Sequence, residues 1–264
     1  NYADLHNWSI KHKNEFWTNV WDFTNFVGEK KGKIFKSAPE FTNNKFFDEC
    51  KINYAENCLT RDDDDDAIIF HSEKKIKRNY SWRELKSAVL KFANYLKNNN
   101  IEKNDRIAAI LPNIPETVIS FLSTAQLGAI WSSCSSDFGK KAIIDRFKQI
   151  EPKVLLFSDY YFYNNKKVDT TKIIKDVVYN IPSIEKIILI PYEFNEKDYQ
   201  LDFEYDNLCK ILQQEIAYSK FEKFNFNHPL YILYSSGTTG VPKCIVHSSG
   251  GALIQHKKEH VLHC

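Results

Sequence analysis

The chain has 264 residues, 43% hydrophobic and 27% charged, enough apolar material for a buried core and too much for a disordered polymer. Its formal charge is only +2, and the lysines are spread along the chain, so a nucleic-acid partner is not indicated. No apolar run approaches the roughly 20 residues of a membrane helix, and residues 1–15 are polar and charged, unlike a secretory signal.

Cys50, Cys58, Cys134, Cys209, Cys244 and Cys264 show no paired spacing and no CxxC. Scattered cysteines fit a reducing compartment better than a disulfide framework, and the cytosol is expected. Methionine is absent, and the last stretch, "GGALIQHKKEHVLHC", is helix-like without a Gly or Pro stop. Both features lead us to expect part of a longer polypeptide.

Taken in chain order, residues 8–27 carry Trp17, Val20, Trp21, Phe23 and Phe26 ahead of Gly28. That pattern predicts one amphipathic helix packed on a larger body. "FFDECKINYAENCL" reads as a short helix plus loop. The five aspartates at 62–66 repel one another and belong in a solvated loop rather than a metal site. "AIIFHS" and "KIKRNYSW" predict two strands joined by a polar turn. Ser81 and Glu84 form a capping-box pattern. The helix behind it has Leu85, Ala88, Val89, Phe92 and Leu96 on one face.

From there strands and helices alternate. "RIAAIL", "KVLLFS", "KIILIP" and "PLYILYSS" read as strands; "PETVISFLSTAQLGAIW", residues 140–149 and "KIIKDVV" read as helices. Short β-branched runs between helices predict a doubly wound α/β fold, with a mainly parallel sheet flanked by helices on both faces.

The most informative segment is "YILYSSGTTGVPKCIVH". A buried strand runs into Ser235, Ser236, Gly237, Thr238, Thr239 and Gly240, followed by Pro242 and Lys243. The glycines let consecutive amides converge on one anion. The hydroxyls add donors that rotate to meet phosphate oxygens, and Lys243 adds a flexible point charge. This inventory suits the β- and γ-phosphates of a nucleotide. It is not the GxxxxGK[ST] P-loop, because Val-Pro-Lys follows the second Gly.

"YSSGTTGVPK" resembles the phosphate-binding signature of the adenylate-forming superfamily. "NWSIKHKNEFWTNVWDF", "KINYAENCL" and "DRIAAILPNIPETVISFLSTAQLGAIWSSCSSDFG" resemble the short-chain AMP-forming acyl-CoA synthetases of that superfamily. The resemblance therefore covers essentially the whole chain. It implies residues 1–60 as an N-terminal extension and 61–264 as an incomplete AMP-binding domain. Within the group, the Ser-Ser-Gly-Thr-Thr-Gly loop, Cys244, "SSCSSDFG" and "CIVHSSGGALIQHKKEH" are similar to the branch that activates acetoacetate rather than acetate or propionate.

What the resemblance implies chemically is a two-step ligation. A carboxylate attacks the α-phosphate of ATP and releases pyrophosphate; CoA thiolate then displaces AMP, with Mg2+ offsetting charge on the phosphates. Ser235, Ser236, Gly237, Thr238, Thr239, Gly240 and Lys243 would hold the ATP phosphates. Lys166 and Lys167, after "KVLLFS", are weaker candidates for the CoA nucleotide, against a reading as solvated lysines. No catalytic acid, base or nucleophile is expected before Cys264, so activity is expected only of a complete protein.

Two other classes compete. His256, Glu259 and His260 fit H-x-x-E-H, a zinc-peptidase pattern whose i, i+4 spacing puts both imidazoles on one helix face. The polar face of a helix after the loop explains them without metal. A non-catalytic short product is the third reading.

Overall fold

The computed structural model describes residues 1–215, 220–235 and 240–264. The N-terminal aromatic segment forms two helices rather than one, α1 (Tyr2–Lys11) and α2 (Lys13–Phe23). They break at His12, whose φ of −114° and ψ of 51° are not helical. No Gly or Pro marks this break. Trp21 stacks on Phe26 and Phe47, which carry the apolar layer to Phe226.

Asn53 caps the short helix α3 (Tyr54–Cys58) through the Glu56 amide. The antiparallel hairpin Asp66–His71/Lys77–Ser81 leads into α4 (Trp82–Asn98). The acidic run beside it is neutralised by Arg61, Arg83 and Lys86. The expected capping box is present: Glu84 N donates to Ser81 Oγ at 3.2 Å, and Ser81 N donates to Glu84 Oε2 at 2.8 Å.

The central sheet follows: β1 (Arg106–Ile110), α5 (Pro115–Gln126), β2 (Ile130–Cys134), α6 (Lys140–Phe147), β3 (Val154–Phe157), α7 (Thr171–Asn180), β4 (Lys186–Leu189), β5 (Asp206–Asn207), α8 (Leu208–Leu212), β6 (Pro229–Ser235), β7 (Lys243–Ser248) and α9 (Ser249–Leu262). Among the described residues the strand order is β5-β4-β3-β1-β2-β6-β7. Every neighbouring pair is parallel except the antiparallel β6–β7 edge.

Alternate residues point to opposite faces. Ile107, Ala109, Val154, Leu156 and Ile188 pack against Phe92 and Leu96 of α4 and against α8. Ala108, Ile110, Leu155, Phe157 and Leu189 pack against Ile143 and Phe147 of α6 and Ile174 and Val177 of α7. The fold is therefore the expected doubly wound α/β arrangement with a mostly parallel sheet.

One strand overturns a sequence expectation. The helix expected through Trp131 ends at Gln126, and β2 begins at Ile130. Gly128, at φ +68°, makes the stop. Its amide donates to Ala125 O and the Ala129 amide donates to Thr124 O, the paired bonds of a Schellman cap.

Candidate phosphate-binding site

The connections from β2 and β6 leave the sheet in opposite directions. The chain from β2 crosses back over β1 to β3 through α6, whereas β6 turns outward into β7. A crevice between strand carboxyl ends at such a reversal is the usual ligand position in doubly wound sheets. The Gly-rich loop leaves β6 there.

Ser235 is the last residue of β6, and Gly240 is at φ +97°. Ser236, Gly237, Thr238 and Thr239 lie outside the described residues. Lys243, which follows the loop in sequence, is the first residue of β7, directly opposite Ser235. Cross-strand partners share a face, with Cβ atoms about 5 Å apart. The Ser235 hydroxyl and the Lys243 ammonium thus emerge on one side of the sheet. Lys243 is exposed and makes no ion pair among the described residues. An exposed, unneutralised cation next to a hydroxyl suits an anion.

The strand beneath is well anchored. Ser132 of β2 is buried; its Oγ donates to Ile232 O at 2.9 Å and stands 3.1 Å from Tyr234 Oη. Burial holds the Tyr234 phenol well above its usual range, so it stays neutral. Burial likewise pushes the Cys134 thiol up to about 12. Neither group is available as a nucleophile at neutral pH.

Helix α6 reaches this hairpin from the opposite face. The Arg146 guanidinium lies 5.0 Å from the Phe138 ring centroid and 5.7 Å from that of Tyr234. Gln149, just past the helix, donates from Nε2 to Pro242 O at 2.9 Å, and its Oε1 is 3.6 Å from Cys244 Sγ. Sequence reading missed these residues. The only available signal was the i, i+3 spacing of Arg146 and Gln149. Ser136, on the loop after β2, is buried, and its Oγ has no hydrogen-bond partner among the described residues.

Lys166 and Lys167 sit on the hairpin Tyr160–Tyr163/Lys166–Asp169 that follows β3. Three strand spacings separate β3 from β6, about 14 Å at the level of the sheet. The fold does not bring these lysines together with Lys243. Both are exposed, and Lys167 Nζ lies 3.5 Å from the Tyr160 ring centroid.

Of the H-x-x-E-H residues, His256 packs against Tyr54 and His260 is exposed. His256 Nδ1 is 3.0 Å from Tyr54 Oη, and Glu259 pairs with Lys258 and Gln255. Among the described residues, no group of three His, Cys, Asp or Glu side chains is placed to hold a metal ion. All six cysteines are free, and no described helix is long and apolar enough to cross a membrane.

The doubly wound sheet and the Gly-rich sequence that follows β6 meet in one class. Residues 55–262 match the AMP-binding enzyme family, and the chain belongs to it. It is 40% identical to the acetoacetyl-coenzyme A synthetase of Rhizobium meliloti (strain 1021), over 100% of this chain and 40% of that protein. It is 38% identical to the acetoacetyl-CoA synthetase of Xenopus tropicalis, over 100% of this chain and 41% of that protein. The solved acetoacetyl-CoA synthetase from Streptomyces lividans superposes with a TM-score of 0.91 at 34% identity, covering 100% of this chain and 41% of that one. The chain thus spans about two fifths of the length of the curated relatives it matches.

Proposed function

We propose that this chain is the ATP-phosphate-holding part of an AMP-forming acyl-CoA synthetase, and that the complete polypeptide joins acetoacetate to CoA. The observation that carries the reading is the pairing of Ser235 with Lys243 astride the Gly-rich loop, in a chain that aligns along its whole length with acetoacetyl-CoA synthetases.

A carboxylate resists nucleophilic attack because it is anionic and its oxide is a poor leaving group. In the proposed reaction one acetoacetate oxygen bonds to the α-phosphorus of ATP, and the bond to the β-phosphate oxygen breaks, releasing pyrophosphate. The CoA thiolate then attacks the acyl carbon, and AMP departs with the shared oxygen. Ser235, Ser236, Gly237, Thr238, Thr239, Gly240 and Lys243 would hold the departing pyrophosphate. Their contribution is orientation and charge stabilisation rather than covalent bonding. Magnesium carried by the nucleotide's phosphates would offset their charge during the first step.

Lys166 and Lys167 remain candidates for the CoA nucleotide, Lys166 being the freer of the two. Residues 1–60 serve in this reading as an extension braced against 61–264. The contacts of Lys257 Nζ with Thr24 O (3.2 Å) and Asn25 O (2.9 Å) support that bracing. The free thiols agree with a cytosolic enzyme.

The test is a competition of acids. Acetoacetate, acetate and propionate are offered to the complete polypeptide with ATP and CoA, and pyrophosphate exchange and thioester formation are followed. The highest kcat/KM is expected with acetoacetate. A preference for acetate or propionate would move the protein to the sister branch. Residues 1–264 alone are expected to form no thioester.

A further inference from the structure

Two side chains, Arg146 of α6 and Gln149 just past it, are drawn to the two ends of the Gly-rich loop, and nothing in the phosphate reading requires them. Arg146 sits between the rings of Phe138 and Tyr234, and Tyr234 is the residue before Ser235. Gln149 holds Pro242 O and faces Cys244 Sγ, the residues either side of Lys243. A second bond from Gln149 Nε2 to Asp145 O, at 2.8 Å, ties the amide back to the helix. One helix face therefore grips the strand entering the loop and the strand leaving it.

The geometry matters because Lys243 is the first residue of β7, where the ladder to β6 begins. The ladder to β6 fixes which residue stands opposite Ser235. It does not prevent the leading end of β7 from fraying, and a strand end fraying by one pair moves the Lys243 ammonium by several ångströms. Gln149 bonds to the backbone at 242, one residue ahead of the first ladder pair. That is where fraying would begin.

We propose that Gln149, supported by Arg146, is a positioning residue for Lys243. It acts through the backbone at Pro242 and the side chain of Cys244, and it touches no substrate itself. The inference rests on the reading of Lys243 as a phosphate ligand. In the complete polypeptide, Gln149→Leu removes both the donor and the acceptor. Loss of such a bond is expected to raise the KM for MgATP in pyrophosphate exchange about three- to tenfold. The KM values for acetoacetate and CoA should not change. Gln149→Glu keeps the acceptor facing Cys244 and loses the donor to Pro242 O, so it should fall between wild type and Gln149→Leu. Gln149 is exposed, and both variants should fold.

The deciding measurement is a double-mutant cycle. If Gln149 acts through Lys243, adding Gln149→Leu to Lys243→Ala changes the KM for MgATP no further. A fully additive double variant, an unchanged KM in Gln149→Leu, or an equal rise for all three substrates would each overturn the proposal while leaving Lys243 in place. A Lys243→Ala enzyme with wild-type KM and kcat for MgATP would instead remove the phosphate reading itself, and this inference with it.

Discussion

Ser235 stands directly opposite Lys243 across the antiparallel pair β6–β7, so the hydroxyl before the Gly-rich loop and the ammonium after it share one face. In the proposed reaction, a cation held this way would meet the charge that develops on the departing pyrophosphate. In the complete enzyme Lys243→Ala is expected to lower kcat/KM for MgATP by about 10²–10³, the usual cost of removing one preorganised donor. Lys243→Arg keeps the charge but spreads it over a planar fork, and should recover only part of the loss. An alanine variant within threefold of wild type in pyrophosphate exchange would show that the phosphates lie elsewhere.

The doubly wound plan was legible because buried parallel strands such as "KVLLF" and "KIIL" are short apolar runs between amphipathic helices. The capping box at Ser81 and Glu84 was legible for a similar reason, since both partners are local. Strand β2 was not, because "LGAIW" continues the apolar stripe of α5 and Gly128 stops the helix only through its backbone conformation. Strand β7 was missed because its burial does not alternate: Lys243, Ile245 and Val246 are all exposed. The Gly-rich segment stands out by local composition, whereas the contacts of Arg146 and Gln149 link segments about 90 residues apart, which local pattern cannot reveal.

Gly128 and Gly139 test that account of β2. A Cβ on Gly128 would meet the Phe224 ring at 2.7 Å, at φ +68°. Gly128→Ala should therefore cost at least about 1–2 kcal/mol from the left-handed backbone alone. Gly139 is at φ −66°, and a Cβ added there would have nothing within 4 Å. Gly139→Ala should stay within about 0.5 kcal/mol of wild type. Urea midpoints that rank the two variants in the opposite order would contradict the cap.

Glu116 opens α5 at the carboxyl end of β1 and is fully buried. Its carboxylate accepts from Arg78 Nη2 and Tyr80 Oη, each at 3.0 Å. Removing one partner of such a pair strands the other charge. Glu116→Ala is expected to cost about 3–5 kcal/mol, whereas Arg78→Met with Glu116→Leu should recover most of that. Chemical denaturation of both variants decides it; a double variant as unstable as the single one would mean that packing, not charge, is what Glu116 supplies.

His228 makes stability depend on pH in a definite direction. It is buried, stacks on Phe224 at 5.1 Å between centroids, and donates from Nε2 to Gly128 O at 2.7 Å. Burial is the largest influence and holds its pKa below the usual 6.5; the bond to Gly128 O opposes this, and Lys103 adds to it. The folded protein therefore prefers the neutral ring, while the unfolded chain takes up a proton near pH 6.5. The resulting stability is fully present above that pH and is lost as the pH falls through the folded value. His256 shifts the same way, first from burial and then from His260, so the two effects add. Urea midpoints measured from pH 7.5 down to 5 should fall for wild type. His228→Gln keeps a donor for Gly128 O but cannot titrate, so its midpoints should fall less steeply over the same range. Parallel curves for the two proteins would show that the neutral His228 ring contributes nothing to the acid sensitivity of the fold.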